Sequence, residues 1–378
     1  MTLRRKLFFA LLVNLFVFGG IELTLRLVGF QHRYTGLDMQ FFGPEFHETM
    51  AGETDQYRIS PRVFWEPNPG VQVTGNVDRI SPDGFREVGR EVLADLDPAV
   101  LEKLEPIPEN GFAVRRDKPE GVTRIACLGD SCTYGIGFGK VLRFPDTYPG
   151  RLWMILKQIA PERRFEVLNT GCPGYSIFQG QRVLQDKVLA YRPDVVTLYF
   201  GAYNDYTPAM EMGDLARGEL EDGGLELPLY HRVLKDLRLY QLLTLGLTKL
   251  GITDQFESRQ EYNKLFAQGE AKFGRRVEPS EFERILREMI ATCRERDIRP
   301  IVIVPPVARE QVEKYPISDQ YADSVRRIAK EEDVTLLDLR AELARREAAG
   351  EDLFMDPIHP NAAGMQIIAA SLANAVME

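Results

Sequence analysis

The rhythm of apolar and polar positions divides the chain into stretches of different kind. Leu7 to Ile21 is almost continuously apolar, interrupted only by Asn14 and glycines, and it follows Arg4, Arg5 and Lys6. Residues 31–120 hold few periodic apolar runs and many turn formers, as in Trp65-Glu-Pro-Asn-Pro-Gly70 and Ser81-Pro-Asp-Gly-Phe-Arg86. Such a stretch predicts an irregular or partly β cap, or a stalk. From residue 123 onward, short apolar runs alternate with segments of helical period, the pattern of βα units on a parallel sheet. Strands are predicted at Thr123 to Leu128, Phe165 to Leu168, Asp194 to Phe200, Pro300 to Val304 and Val334 to Leu337. Helices are predicted at Pro149 to Ala160, Phe178 to Ala190, Glu281 to Arg296, Asp319 to Glu332 and Asn361 to Val376.

Two stretches depart from that alternation. Residues 206–280 mix acidic segments with helical ones around Leu234 to Leu250 and read as an insertion, placed where it either overhangs a pocket or is a neutral length change. The N-terminal apolar run with basic residues ahead of it marks a helix whose start faces the cytoplasm. Extending it to Phe30 supplies the length of a membrane span and sets Glu22 and Arg26 near the outer interface, four residues apart on one helical face. No small-x-small cleavage site follows, so an uncleaved signal anchor is expected rather than a removed signal peptide, with the remainder extracytoplasmic, in the periplasm or at the cell surface. The expected organisation is an anchor over 1–30, a cap or stalk over 31–120, and an α/β domain over 121–378 carrying the insertion 206–280.

Composition changes this picture in few ways. The chain has 378 residues, 44% hydrophobic and 27% charged, an ordinary globular balance. A formal net charge of -9 argues against general nucleic-acid binding, which needs basic clusters. The four cysteines, Cys127, Cys132, Cys172 and Cys293, lack metal-binding spacing. Cys132 and Cys172 sit on loops expected to meet, and are either a disulfide or two buried thiols. No metal or other cofactor is expected, and Gly135 to Lys140 does not fit a phosphate-binding glycine loop.

The chemistry rests on blocks at strand ends. Gly129-Asp130-Ser131 places a serine where the first strand of the α/β region breaks into a turn. Of the four histidines, His359 alone has a carboxylate three residues ahead, in Asp356-Pro-Ile-His359. A serine oxygen needs a base to take its proton, and that base works best when a carboxylate holds its tautomer. Between them, Gly171 in Asn169-Thr-Gly-Cys-Pro-Gly174 and Asn204 in Gly201-Ala-Tyr-Asn204-Asp205 follow further strands. A glycine N–H and an uncharged amide both suit a developing oxyanion.

In these four ordered blocks, across roughly residues 123–377, the chain resembles the SGNH or GDSL-like hydrolase superfamily, in a membrane-anchored bacterial form. The resemblance implies a flavodoxin-like three-layer sandwich with a five-stranded parallel sheet. It implies Ser131 as nucleophile, His359 as base, Asp356 as its orienting carboxylate, and the Ser131 N–H, Gly171 N–H and Asn204 amide as oxyanion hole. Two residues separate Gly201 from Asn204 here, where the family has one. Anchored members carry a similar Gly-Phe-Arg segment ahead of the nucleophile, matched by Gly84-Phe85-Arg86. The implied function is an extracytoplasmic serine esterase acting through an acyl-enzyme, with an ester substrate from which it removes a small acyl group, an acylated glycan or another envelope ester. An O-acyltransferase with the same triad is the alternative, and a non-catalytic glycan-binding or assembly subunit is the alternative of another class.

Overall fold

The computed structural model describes residues 2–30, 57–60, 62–71, 73, 78–88, 114, 116–137, 140–209, 213–219, 234, 237–250 and 274–378. They belong to two compact units, one of Met1–His47 with Leu225–Lys264, the other of Glu48–Gly224 with Leu265–Glu378. His32, His47 and His231 lie outside the described residues.

In the larger unit the strands are β1 (Tyr57–Ser60), β2 (Phe64–Pro67), β3 (Asp78–Ile80), β4 (Arg86–Val88), β5 (Val122–Gly129), β6 (Ile136–Gly137), β7 (Lys140–Val141), β8 (Arg164–Asn169), β9 (Val195–Tyr199), β10 (Arg299–Val304) and β11 (Thr335–Asp338). The five strands expected from the apolar runs form the parallel part of one sheet, in the order β11-β10-β9-β5-β8. Numbered among themselves along the chain, they follow the flavodoxin-like order 2-1-3-4-5, which reverses direction between β5 and β9. Loops leaving the carboxyl ends of those two strands border the crevice where such sheets hold ligands.

Side chains alternate across this sheet because the strand period is two. Ile125, Cys127, Val195, Tyr199, Ile301 and Ile303 share one buried core with Leu152, Leu156, Ile368 and Leu372 of helices Tyr148–Ile159 and Ala362–Met377. The intervening Ala126, Leu128, Val196, Leu198 and Val302 are equally buried on the other face. Helices Ile177–Asp186, Pro279–Arg294 and Ile317–Glu331 pack together over that face. Polar starts fix the helices next to the site: Asn361 accepts from the N–H groups of Ala363 and Gly364 at 2.9 and 3.1 Å, and Ser176 with Gln179 makes a capping box.

The five expected parallel strands are present, and two further strands extend their sheet to seven: β4 pairs antiparallel with β8 through Arg86 and Asn169, and β3 pairs antiparallel with β4. The segment ahead of the α/β domain thus contributes to its sheet. The helix expected over Phe178 to Ala190 ends at Asp186 and continues as a 3-10 turn, Val188–Tyr191, closed by Arg192 in the left-handed region.

In the smaller unit, helix Leu3–Leu27 spans 25 residues, about 37 Å at 1.5 Å per residue, against a hydrocarbon core of about 30 Å. Arg26 and Glu22 pair across one turn at 2.7 Å. A second helix, Arg238–Lys249, starts against the first, with the Leu239 N–H donating to Glu22 Oε2 at 2.8 Å.

Candidate active site

β5 ends in Gly129, and the chain turns at once into the single helical turn Ser131–Tyr134. The close approach requires glycine: a Cβ on residue 129 would stand 2.1 Å from Thr133 Oγ1 and 3.1 Å from Tyr199 Cβ. Asp130 caps the turn by accepting the Cys132 N–H at 2.9 Å. Ser131 is left 8% exposed, at the carboxyl edge of the sheet.

Asp356 and His359 reach the same point from the loop before helix Ala362–Met377. Ser131 Oγ lies 2.8 Å from His359 Nε2. His359 Nδ1 lies 2.8 Å from both carboxylate oxygens of Asp356. Asp356 Oδ1 also accepts the backbone N–H groups of Ile358 and His359 at 3.0 Å each, so carboxylate and ring are held in one tight loop. The Cys132 thiol donates to the Ile358 carbonyl at 3.3 Å and ties that loop to the serine's turn. The spacing of three between Asp356 and His359 thus lets a local turn assemble two members of the chain of contacts, and the fold delivers the third from 228 residues away.

The sequence matches the GDSL-like Lipase/Acylhydrolase family over residues 127–367, more than half of the chain, and the match contains the Gly129-Asp130-Ser131 and Asp356-to-His359 blocks. The chain belongs to that family. It is a serine esterase with a mostly parallel central sheet. No curated protein matches the sequence significantly. Among solved structures, it is similar to an alpha/beta hydrolase enzyme, LAE5, from the metagenome of Lake Arreo (21% identity, 68% of this chain and 96% of that one, TM-score 0.43). It is similar also to Axe2, an acetylxylan esterase from Geobacillus stearothermophilus (19%, 67% and 94%, 0.41). A third is the lipase/acylhydrolase from Enterococcus faecalis (17%, 67% and 95%, 0.42).

The three positions expected as oxyanion donors in this esterase differ in their surroundings. The Ser131 N–H, at the first position of its turn, has no hydrogen-bond partner among the described residues. Asn204, in the turn Tyr203–Tyr206 after β9, gives one amide hydrogen to Asp130 Oδ2 at 2.9 Å, which leaves the other of its two. Gly171 is different: its N–H donates to Asn169 Oδ1 at 3.1 Å. A Cβ on Gly171 would meet Tyr134 N at 2.5 Å and Asp130 O at 2.9 Å, so its glycine is needed to pack under the serine's turn. Three residues on, the Gly174 N–H has no partner among the described residues. The apolar run and its glycines do not distinguish these two positions in the sequence; only the Asx-type bond from Asn169 does.

The loop bearing Gly174 is fixed by parts of the esterase that sequence reasoning did not connect with it. The Cys172 N–H donates to Gly129 O at 3.2 Å. Trp65 Nε1 donates to Pro173 O at 3.0 Å, and the Tyr175 hydroxyl donates to Trp65 O at 2.6 Å. Arg276 Nη1 donates to Gly174 O at 2.7 Å, and its Nη2 to Asp214 Oδ2 at 2.8 Å. Trp65 comes from the turn-rich N-terminal region, and Asp214 and Arg276 from the two ends of the insertion.

Burial governs the titrating groups nearby. It pushes the Asp130 carboxyl up, against the opposing effects of the Cys132 N–H and of a charged His359. It pushes Asp205 up to about 7, against the N–H groups of Ile177 and Gly201, each 2.7 Å from one of its oxygens. Asp205 thereby closes the turn that presents Asn204, and Gly201 serves that turn in the left-handed region, at φ 95°. The four cysteines are buried free thiols, so the Cys132–Cys172 alternative resolves to two thiols. Burial raises the Cys132 thiol well above its ordinary range, with the Asp130 charge adding to it. A thiol so placed is a poor nucleophile. Among the described residues, no group of three or more His, Cys, Asp or Glu side chains is placed to hold a metal ion.

Proposed function

We propose that this esterase is anchored in the membrane by helix Leu3–Leu27, with its larger unit outside the cytoplasm. We propose too that it removes a small acyl group from a glycan or other envelope ester through an acyl-enzyme on Ser131. The observation that carries the reading is the unbroken contact from Ser131 Oγ to His359 Nε2 and from His359 Nδ1 to Asp356. His359 takes the serine proton on Nε2 as Oγ attacks the ester carbonyl, and Asp356 stabilises the imidazolium so formed. The carbonyl oxygen becomes an oxyanion, which takes hydrogen bonds from the Ser131 N–H and the free amide hydrogen of Asn204. Gly174, rather than Gly171, supplies the third donor. Collapse breaks the bond to the alcohol, which leaves with the proton from Nε2. Water then repeats the sequence on the acyl-enzyme, giving up a proton to Nε2 and releasing the carboxylic acid and Ser131.

The N-terminal basic residues, the length of the apolar helix and the Arg26–Glu22 pair at its far end support the anchored orientation. An acylhydrolase on the outer side of that helix meets envelope and extracellular esters, which supports the substrate class. The full chain in detergent should release p-nitrophenol from p-nitrophenyl acetate faster than from long acyl esters, and acetate from acetylated oligosaccharides. The absence of any release that depends on Ser131 would contradict the esterase chemistry. Acyl transfer to an added free oligosaccharide in place of water would reassign the second half-reaction.

A further inference from the structure

A single helical turn is a poor foundation for a nucleophile. Four residues close almost no internal hydrogen bonds, and the last carbonyls of any helix lack intrahelical donors. Buried carbonyls must be paired, and Ser131–Tyr134 is wholly buried. Two neighbouring strands supply the donors. Asn169, at the end of β8, donates from Nδ2 to Thr133 O at 2.9 Å. Arg86, on β4 and paired in register with Asn169, donates from Nη1 to Tyr134 O. Arg86 is 1% exposed, and its guanidinium carbon stands 4.9 Å from the centre of the Tyr134 ring.

The same guanidinium makes a second bond, from Nη2 to Leu142 O. Leu142 follows the β6–β7 hairpin, and its N–H donates to Gly135 O at 2.8 Å. That hairpin abuts the histidine loop: a Cβ on Gly137 would stand 2.8 Å from Asp356 Oδ2 and 3.2 Å from His359 Cβ. Arg86 therefore joins the turn that carries Ser131 to the segment on which Asp356 and His359 rest. A planar fork with two separated N–H groups spans these carbonyls; a single ammonium has no such geometry.

We propose that Arg86 is a positioning residue of this esterase, setting the approach of Ser131 Oγ to His359 Nε2 through its two carbonyl contacts. The Gly84-Phe85-Arg86 segment then serves the catalytic machinery through the backbone carbonyls that Arg86 holds. Phe85 packs against Tyr191, their rings 5.3 Å apart, and seats the strand that aims the arginine. The proposal rests on Ser131 as nucleophile.

The test compares Arg86→Lys and Arg86→Gln with the wild-type full chain in detergent. Active sites are counted by titration with a fluorophosphonate, and kcat and KM for p-nitrophenyl acetate are measured per titrated site. Misplacement of reacting groups by a fraction of an ångström predicts a loss in kcat per site of about tenfold to a hundredfold, with KM changed less than about twofold. The second-order rate of fluorophosphonate labelling should fall in parallel. A merely structural arginine would lower Tm and the number of titrated sites but leave kcat per site at the wild-type value, and that result overturns the proposal. An Arg86→Lys chain that does not fold overturns it too, because the guanidinium is then a requirement of folding and not of rate. Failure of the nucleophile assignment is read separately: Ser131→Ala would keep both activity and labelling.

Discussion

Asn204 Nδ2 donates to Asp130 Oδ2 at 2.9 Å, so the residue preceding Ser131 also holds the amide expected to receive the oxyanion. The other Asp130 oxygen caps the serine's turn through the Cys132 N–H. Asn204→Ala should lower kcat about 100- to 1000-fold with little change in KM, the loss typical of one oxyanion donor. Asp130→Asn separates the two duties of the carboxylate, since asparagine is as good a cap as aspartate. It should leave Tm nearly unchanged and reduce kcat on the order of tenfold by releasing the Asn204 amide. Coupling follows from the shared contact: in the Asp130→Asn/Asn204→Ala double variant, kcat should equal that of Asn204→Ala alone. Additive losses would show that the contact does not orient Asn204.

Asp356 meets His359 Nδ1 with both oxygens and holds two backbone N–H groups as well. Asp356→Asn keeps the shape but must turn an amide N–H₂ toward either the ring or the backbone. Facing the ring, it favours the tautomer that carries its proton on Nε2 and cannot accept from Ser131. The expected loss in kcat is about 10⁴-fold at neutral pH. Steady-state rates within tenfold of wild type would remove Asp356 from the orienting role.

Glu87 follows Arg86 on β4 and is buried, which raises its carboxyl to about 8, with Arg79 opposing the shift from 3.9 Å away. A carboxyl whose pKa is higher folded than unfolded binds its proton more tightly in the folded state, so its contribution is full below the unfolded value. That contribution is lost as pH rises from about 4.5 through about 8. Glu87→Gln removes the titration. The Tm of the variant relative to wild type should therefore climb as pH is raised from 5 to 9 and level off above about 8. Thermal unfolding curves at several pH values check this, and a difference that does not change with pH contradicts it.

Gly171 lies under the serine's turn with no room for a side chain. Gly171→Ala should destabilise by about 1–3 kcal/mol through overpacking against the Tyr134 N–H and the Asp130 carbonyl. Gly174→Ala tests a different property, because Gly174 sits in the left-handed region, at φ 78°, and its missing Cβ faces the Trp65 ring at 3.0 Å. If Gly174 is the oxyanion donor, the second substitution should cost more in kcat per titrated site than the first. The reverse order would return the role to Gly171.

What the sequence disclosed and what it withheld follow from the range of the interactions. Asp356 and His359 are legible because three residues of separation suffice for their contact, and Ser131 because a strand, a glycine and a cap sit next to it. The five parallel strands are legible as runs such as Ile301 to Val304, buried on both faces. β3 and β4 were not, since Asp78-Arg79-Ile80 and Arg86-Glu87-Val88 are three-residue segments dominated by charge. Their place in the sheet depends on a buried arginine paired with carbonyls far along the chain, which no local pattern encodes. Trp65 and Arg276 were missed for the same reason: each acts on the Pro173–Gly174 backbone across about a hundred residues. The Asn169 side chain that engages the Gly171 N–H is local, yet a loop with two glycines gives no reason to prefer either.

The central claim is that Ser131 Oγ is the atom activated by His359. Labelling the full chain with a fluorophosphonate, followed by mass spectrometry of the peptides, tests it directly. The adduct should sit on Ser131 alone, and labelling should fall by orders of magnitude in His359→Ala. An adduct on another residue, or labelling of Ser131 that is unaffected by the loss of His359, would contradict the account.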